Sequence, residues 1–376
     1  MMLTPTVFTD APDRPLLLLG ASVGTSAETL WADCAARLYG RYHVVGFDLP
    51  GHGRSAPAAG PLTIAGLARA VVALADQIRP GEQFLYAGDS IGGAIGLQVL
   101  LDAPERVAAA ALICTAAKIG EAPAWHDRAA LVREKGTGAV VAGSIERWFG
   151  AGFMAAKAAT AGALLDALRA TDDESYARCC EALAGFDVRD RLAEIAAPVL
   201  AIAGAQDKPT PPSALAQIAE RALHGRLVVL EDVAHLAPAE SPEVVAFLLD
   251  QHFDAERAAG IAVRREVLGP AHVDRATAAT TPFTRDFQDL ITRYAWGDIW
   301  TRPGLDRRSR SMVTLTALVA LGHHEELAMH VRAARTNGLS IEEIKEVLLQ
   351  TAIYCGVPAA NTAFRIAQTV LDDLAG

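Results

Sequence analysis

Six short apolar runs constrain the fold of the first two thirds of this chain more than any other feature. Runs that are apolar at nearly every position predict strands buried on both faces, as in a parallel sheet covered by helices. Most intervals between the runs are long enough for a crossover helix. We therefore expect an α/β unit with a mostly parallel sheet. The predicted strands are Leu16–Leu19, Val44–Phe47, Phe84–Ala87, Ala110–Cys114, Val199–Ala203 and Leu227–Leu230.

One interval, residues 118–195, is far too long for a single crossover helix. It is rich in alanine and leucine, which favour helices. We expect it to form a helical cap inserted into a strand-containing domain that covers residues 1–252.

The sequence changes character after residue 252. No strand-like run follows, and apolar residues recur at helical spacing. Gly338 ends one helix, and Ser340 begins the next, with Glu343 three residues later as in a capping box. Residues 253–376 are therefore predicted to form an all-α domain. The predicted helices are Thr284–Trp300, Arg308–Leu321, Glu325–Thr336, Ile341–Tyr354 and Ala360–Leu374.

Composition limits the possible partners. Hydrophobic residues make up 51% of the 376 residues, so a large core can form, and the net charge of −10 disfavours nucleic acid as a partner. No apolar run reaches the roughly 18 residues that a membrane span needs, and the N-terminus does not resemble a signal peptide. The five cysteines are scattered and form no CxxC pair. We expect a cytoplasmic protein that has no contact with membranes and no disulfide framework.

The clearest catalytic motif is G-x-S-x-G, at residues 88–92, directly after a predicted strand. A nucleophile on a tight strand-to-helix turn needs small residues two positions before and after it, because larger side chains would collide. Only Ser90 has glycine at both positions, so Ser90 is the predicted nucleophile. Asp89 lacks this flanking pattern, which argues against an aspartate nucleophile.

A serine nucleophile on this turn needs an acid and a histidine later in the chain. Asp207 follows the fifth predicted strand, and His235 follows the sixth. We expect His235 to act as general base and Asp207 to fix its tautomer. Asp232 is a competing acid, and His52 is a less favoured catalytic histidine that we interpret as structuring its loop.

The oxyanion of an acyl-transfer intermediate needs two N–H donors. The backbone N–H of Ile91 begins the helix after the nucleophile. The second donor should come from the loop after the first buried strand, where Val23 is the candidate.

Residues 1–252 resemble the 3-oxoadipate enol-lactonases, which are α/β-hydrolases of protocatechuate catabolism. The likeness lies in the oxyanion loop at residues 21–25, the cap segments at 115–129, 147–149 and 176–182, and the loops at 204–212 and 234–242. It implies that an enol-lactone with a carboxylate side chain is the substrate. Since cap residues usually set specificity, we expect arginine to hold that carboxylate and tryptophan to pack on the ring. The candidates are Trp125, Arg128, Arg133 and Trp148.

In the second domain, histidine and glutamate side chains are concentrated at residues 322–330. His323, Glu326 and His330 are spaced to share one face of a helix. Two imidazoles and a carboxylate could form an acid/base site or a metal site, or simply a solvated face at the start of a helix. HExxH is absent, and we predict no metal.

This domain resembles the 4-carboxymuconolactone decarboxylases. The matching segments are residues 263–269, 296–300, 302–311, 330–338 and 351–361. Related peroxidase-reductases carry CxxCxxxH where this chain has His323, Glu326 and His330, so dithiol redox chemistry is excluded. The candidate substrate-binding residues are Arg302, Arg307, Arg308, Arg310 and Tyr354.

The two resemblances together imply consecutive reactions. The helical domain would act first and would decarboxylate 4-carboxymuconolactone. No cofactor would be needed, because the substrate's own lactone carbonyl accepts the electron pair. His330 is the expected proton donor, tuned by Glu326 and His323. The hydrolase domain would then open the enol-lactone to 3-oxoadipate. The resemblance also implies a homo-oligomer that assembles through the helical domain. Two alternatives stay open: a hydrolase for another small ester, and a helical domain that serves only oligomerisation.

Overall fold

The computed structural model describes residues 2–38, 40–281 and 283–375. These residues divide into two compact units between Phe253 and Asp254. The boundary that we predicted after residue 252 lies one residue earlier.

A seven-stranded sheet forms the centre of the first unit, in the order β1-β3-β2-β4-β5-β6-β7. Strands β2 to β7 are parallel, whereas β1 is antiparallel to β3, so the prediction of a mostly parallel sheet is confirmed. The edge strand β1 was not predicted, because its residues are of mixed exposure and polarity and do not form an apolar run. The strands are β1 (Thr4–Thr9), β2 (Leu16–Gly20), β3 (His43–Asp48), β4 (Phe84–Asp89), β5 (Val107–Ile113), β6 (Val199–Gly204) and β7 (Gly225–Leu230).

Eleven helices accompany this sheet within the described residues of the first unit. Five of them, α4 to α8, lie in the chain between β5 and β6 and form the cap, with short 3₁₀ turns at Thr137–Val140 and Arg189–Glu194. Strands β2, β3 and β4 are buried along their whole length and form the middle of the core. The helices are α1 (Ala27–Ala36), α2 (Ile64–Ile78), α3 (Ile91–Asp102), α4 (Ala122–Lys135), α5 (Val141–Trp148), α6 (Phe153–Ala156), α7 (Ala158–Ala170), α8 (Asp173–Ala184), α9 (Pro212–Arg221), α10 (Ala237–Glu240) and α11 (Pro242–Phe253).

Helices are the regular elements of the second unit within its described residues, as predicted. Two of its helices, α12 and α13, were not predicted, and the expected helix at 284–300 is a short α-helix that continues as a π-helix over Thr292–Ile299. In the part of the chain that the structure describes, no helix is both long and apolar enough to cross a membrane. The helices are α12 (Ala255–Leu268), α13 (Pro270–Ala278), α14 (Arg285–Ile291), α15 (Arg307–Leu321), α16 (His324–Thr336), α17 (Ile341–Cys355) and α18 (Val357–Ala375).

Candidate active sites

The backbone at Ser90 is strained in the way that the motif predicts. Ser90 joins β4 to α3 with φ of 55° and ψ of −115°, a backbone conformation that residues other than glycine seldom adopt. A Cβ atom on Gly88 would lie 2.3 Å from the carbonyl oxygen of Gly92, and one on Gly92 would lie 2.6 Å from that of Gly20. Both glycines are therefore required by close packing of the backbone around the serine.

Three side chains from separate strand ends meet in one hydrogen-bonded row. The Nε2 atom of His235 lies 2.9 Å from Oγ of Ser90, and its Nδ1 atom lies 2.9 and 3.0 Å from the two carboxylate oxygens of Asp207. All three side chains are buried. The arrangement suits an imidazole that removes a proton from the serine hydroxyl while a carboxylate stabilises the resulting imidazolium.

The carboxylate of Asp207 is held by a second set of donors. Thr210 donates its hydroxyl to one oxygen at 2.7 Å and its backbone N–H to the other at 3.0 Å. The competing acid, Asp232, is exposed, and no hydrogen bond among the described residues joins it to the imidazole. His52 is buried with its Nδ1 atom 2.9 Å from the carbonyl of Pro50, and burial lowers the pKa of this histidine to about 4. These contacts fit the loop-structuring interpretation of His52.

A half-buried glutamate fixes the loop that carries His235. Glu240 accepts hydrogen bonds from the N–H groups of Ala234 and Leu236 on that loop and of Gly150 at the end of the cap helix α5. Burial raises the pKa of Glu240, and these three donors oppose the shift. The glutamate thus ties the histidine loop to the cap.

The two predicted oxyanion donors belong to the residue after the serine and to a residue that lines its cavity. Ile91 is the first residue of α3, so its N–H has no acceptor within that helix. Val23 lines the same cavity as Ser90 and His235. Among the described residues, the Val23 N–H has no hydrogen-bond partner. Its donor is therefore available to a ligand.

A cavity of about 260 Å³ opens between the cap and the serine. Three of the four predicted cap residues line it: Trp125, Arg128 and Trp148. The guanidinium of Arg128 lies over the ring of Trp125, 4.9 Å from its centroid. The fourth, Arg133, does not line the cavity, because its guanidinium pairs with Glu174 and Glu181 on α8. The structure therefore gives no support to Arg133 as a substrate contact.

In the helical unit, the three residues expected on one helix face differ in their surroundings. Helix α16 begins at His324, so His323 is its N-cap residue and is not part of the helix. His323 and Glu326 are exposed, whereas His330 is half-buried. Burial lowers the pKa of His330, and the nearby carboxylate of Glu326 opposes that shift. The structure therefore brings Glu326 close to His330 and leaves His323 at the helix start.

The expected carboxylate-binding residues of this unit are mostly engaged elsewhere or lie on the surface. Arg307 pairs with Glu266, and Arg308 pairs with Glu343. Arg302 is exposed, and its carbonyl accepts a hydrogen bond of 2.9 Å from Arg310. Tyr354 is 79% exposed. Within one chain, the structure does not bring these residues to His330.

Comparison with known proteins assigns each unit to a protein family. Residues 15–242 match the family model of the alpha/beta hydrolase fold, and residues 285–369 match that of the carboxymuconolactone decarboxylase family. A 4-carboxymuconolactone decarboxylase from Acinetobacter baylyi is 48% identical over 115 residues, which cover 31% of this chain and 86% of that protein. The 3-oxoadipate enol-lactonase 2 of the same organism is 39% identical over 231 residues, 61% of this chain and 85% of that protein.

The chain belongs to the α/β-hydrolase fold family and, in its second unit, to the carboxymuconolactone decarboxylase family. A solved enol-lactonase from Burkholderia xenovorans has the same fold as the hydrolase unit, with a TM-score of 0.64 and 28% identity. The similarity covers 67% of this chain and 96% of the lactonase. Both resemblances inferred from the sequence are confirmed.

Several residues of the hydrolase site were missed by sequence reasoning. Arg147, Tyr176 and Lys208 also line the cavity. Arg147 lies close enough to Arg128 for the two charges to repel, and burial together with that charge lowers the pKa of Arg147. One signal was available: Arg128 and Arg133 are five positions apart on α4, about 140° around the helix axis, so both could not face one cavity.

Neither unit groups metal-ligating side chains within its described residues. In residues 2–38, 40–281 and 283–375, no cluster of three or more histidine, cysteine, aspartate or glutamate side chains could hold an ion. The arrangement of His323, Glu326 and His330 therefore gives no support to the metal-site interpretation of that segment.

Proposed function

We propose that this chain converts 4-carboxymuconolactone to 3-oxoadipate in two steps, one in each unit. The observation that carries the proposal is that a complete serine, histidine and aspartate row lies in the same chain as a decarboxylase-family unit. The reactions named for the two sets of relatives are consecutive, since decarboxylation of the first lactone yields the enol-lactone that the second enzyme opens.

In the decarboxylation step, the bond between the γ-carbon and its carboxylate breaks and CO₂ leaves. The electron pair moves through the ring double bond into the lactone carbonyl, and the resulting dienolate takes a proton at the α-carbon. The substrate supplies its own electron sink, so the protein has to stabilise the enolate oxygen and deliver one proton. The half-buried imidazole of His330 is the proton donor in this step, and Glu326 tunes it.

In the hydrolysis step, His235 takes the hydroxyl proton of Ser90 as Oγ attacks the ring carbonyl. The N–H groups of Val23 and Ile91 hold the oxyanion. Collapse of the intermediate breaks the ring C–O bond, and His235 returns its proton to the leaving enolate oxygen. The resulting enol stays on the acyl chain bound to Ser90 and becomes the ketone. Water then attacks the acyl-enzyme, with His235 again as base, and regenerates Ser90.

Two guanidinium groups in the cap are complementary in charge to the substrate's carboxylate. Arg128 and Arg147 both line the cavity, and neither forms an ion pair with a carboxylate among the described residues. Their mutual repulsion is relieved when an anion lies between them. Trp125, stacked with Arg128, presents an apolar surface to the ring.

The helical unit provides a surface for assembly into a homo-oligomer. A groove between α15 and α17 is lined by Met312, Val313, Ala317 and Val347, with Val313 61% exposed. Ile353 and Val357 are also largely exposed. Apolar patches of this kind are costly in water and are typical of subunit interfaces. A cytoplasmic location remains a prediction from the sequence.

The experiment that tests the function supplies purified chain with 4-carboxymuconolactone and follows CO₂ release and 3-oxoadipate formation together. We expect one CO₂ for each 3-oxoadipate, with no added metal or cofactor. Release of no CO₂ would remove the decarboxylase assignment. CO₂ release that leaves the enol-lactone intact beyond its spontaneous hydrolysis would remove the hydrolase assignment.

A further inference from the structure

Arg264, on helix α12 of the helical unit, is a buried cation without a carboxylate partner among the described residues. The residue is only 8% exposed, and its Nε atom is buried with no hydrogen-bond partner. Its Nη1 atom donates only to neutral oxygens, Oε1 of Gln288 at 3.2 Å and Oγ1 of Thr292 at 3.5 Å. A guanidinium stays charged in proteins, so this site holds a positive charge that lacks an anion.

Many other arginines of the unit are paired. Seven of them form an ion pair with an aspartate or glutamate among the described residues, whereas Arg264 forms none. The pairs are Arg257 with Asp289, Arg265 with Asp274, Arg293 with Asp254, Arg302 with Asp298, Arg307 with Glu266, Arg308 with Glu343 and Arg332 with Asp373. The missing anion therefore distinguishes Arg264 from these neighbours.

The helix that carries Arg264 packs against the π-helix and against the helix that carries His330. Val267, Trp296 and Ala333 form one small apolar cluster that joins α12, the π-helix and α16. Arg264 lies three residues before Val267, His330 three before Ala333 and Thr292 four before Trp296, so each polar residue is about one turn from the cluster on the face of its own helix that packs there. Gly260 allows this approach, because a Cβ atom there would lie 2.1 Å from the carbonyl oxygen of Thr292.

A second imidazole senses the charge of Arg264. His272, at the start of α13, is half-buried, and burial followed by the charges of Arg264 and Arg275 lowers its pKa. The pKa of His330 is in turn raised by the charge of Glu326 and lowered by that of His272. Arg264 thus acts on His272 and His272 on His330, and the apolar cluster joins the helices of Arg264 and His330.

We propose that Arg264 binds the carboxylate that the substrate keeps, the acetate side chain of 4-carboxymuconolactone, with His272 beside it. The inference rests on the proposed decarboxylase function of this unit. A cation bound to the carboxylate that leaves as CO₂ would stabilise the substrate more than the transition state. Such a contact would slow the decarboxylation. Binding the retained carboxylate avoids this, and it anchors the ring so that its α-carbon faces His330.

The test measures CO₂ release by the full chain with Arg264→Met and, as a matched control on the same helix, Arg265→Met. The same assay gives the inhibition constant of the saturated lactone with both carboxylates, which lacks the ring double bond and cannot lose CO₂ by this route. We expect Arg264→Met to raise KM and this inhibition constant together, about 10- to 100-fold, with a smaller change in kcat. Arg265→Met should change neither.

Unchanged KM and inhibition constant in Arg264→Met would overturn the proposal. If the mass of its oligomer also fell, Arg264 would belong to a subunit contact instead. Should Arg264→Met not fold, Arg264→Lys decides, because a single ammonium cannot form both hydrogen bonds to a carboxylate and both constants should rise about 10-fold. Wild-type values there would also overturn it. A wild-type chain that releases no CO₂ would instead remove the function itself.

Discussion

The Nε2 atom of His235 lies 2.9 Å from the hydroxyl oxygen of Ser90, although 145 residues separate them in the chain. The sheet makes this contact possible, since Ser90 follows β4 and His235 follows β7 at the same edge. Asp207 is the third member of the hydrogen-bonded row. It follows β6, which lies between β4 and β7 in the chain. Catalytic geometry in this unit is thus a consequence of parallel strand order.

Replacement of Gly88 by alanine should destabilise the hydrolase unit. The new Cβ atom would lie 2.3 Å from the Gly92 carbonyl, and the backbone would have to move to accept it. We expect a loss of about 3 kcal/mol or more and a clear fall in the thermal midpoint. Gly60→Ala is the control, because a methyl group added there would have no atom within 4 Å of it. Equal midpoints for the two variants would contradict this interpretation of the turn.

Replacement of Arg147 by alanine should weaken binding of the enol-lactone. Loss of one charge-assisted hydrogen bond to the substrate carboxylate corresponds to a rise in KM of about 10- to 100-fold, with a smaller effect on kcat. Hydrolysis of a neutral aryl ester should change little. Arg133→Ala serves as control, since that guanidinium pairs with Glu174 and Glu181 outside the cavity. If both variants raised KM equally, Arg147 would have no specific role.

Replacement of His330 by glutamine should slow CO₂ release by about 10²- to 10⁴-fold, the usual contribution of a positioned proton donor. Hydrolysis of supplied enol-lactone by the same variant should be unchanged, because that chemistry uses His235. His324→Gln, an exposed change at the start of the same helix, provides the comparison. Full decarboxylase activity in the His330 variant would assign the proton to another group.

Acidification should destabilise the hydrolase unit through the half-buried His252. Burial lowers the pKa of His252 to about 4, so the folded state keeps it neutral while the unfolded chain binds a proton below about pH 6.5. Stability is therefore complete above about pH 6.5 and is lost as the pH falls towards 4, by about 2–3 kcal/mol from this residue.

Calorimetric unfolding between pH 7 and pH 5 checks that expectation. His252→Gln can still donate to the carbonyl of Ala110 and should show a smaller loss of thermal stability on acidification than the wild type. His126→Gln, at an exposed position, should behave like the wild type. Identical pH dependence in all three proteins would show that His252 is not the group that takes up the proton.

Local sequence signals predicted the parts of the fold and site that depend on local chemistry. The buried strands appear as apolar runs, and the serine turn appears as two glycines with no room for a side chain. Ser340 and Glu343 form the predicted capping box. In each case the physical requirement acts on residues that are neighbours in the chain.

Features that depend on tertiary contacts were not predictable in the same way. Strand β1 is half-exposed, so no apolar run marks it. Arg128, Arg133 and Arg147 look alike in the sequence, and only the packing of α4 and α5 decides which of them reach the cavity. Arg264 lies within a family segment, but its missing partner is visible only once the helices are packed.

The Ser90→Ala chain supplied with 4-carboxymuconolactone gives the most direct test of the two-step function. Its helical unit is unchanged, so CO₂ should be released at the wild-type rate while the enol-lactone accumulates in equal amount. Formation of 3-oxoadipate should fall to the spontaneous rate, a loss of about 10⁴- to 10⁶-fold in kcat for hydrolysis. Continued rapid formation of 3-oxoadipate, or absence of CO₂ release from a chain that still folds, would contradict the assignment of one reaction to each unit.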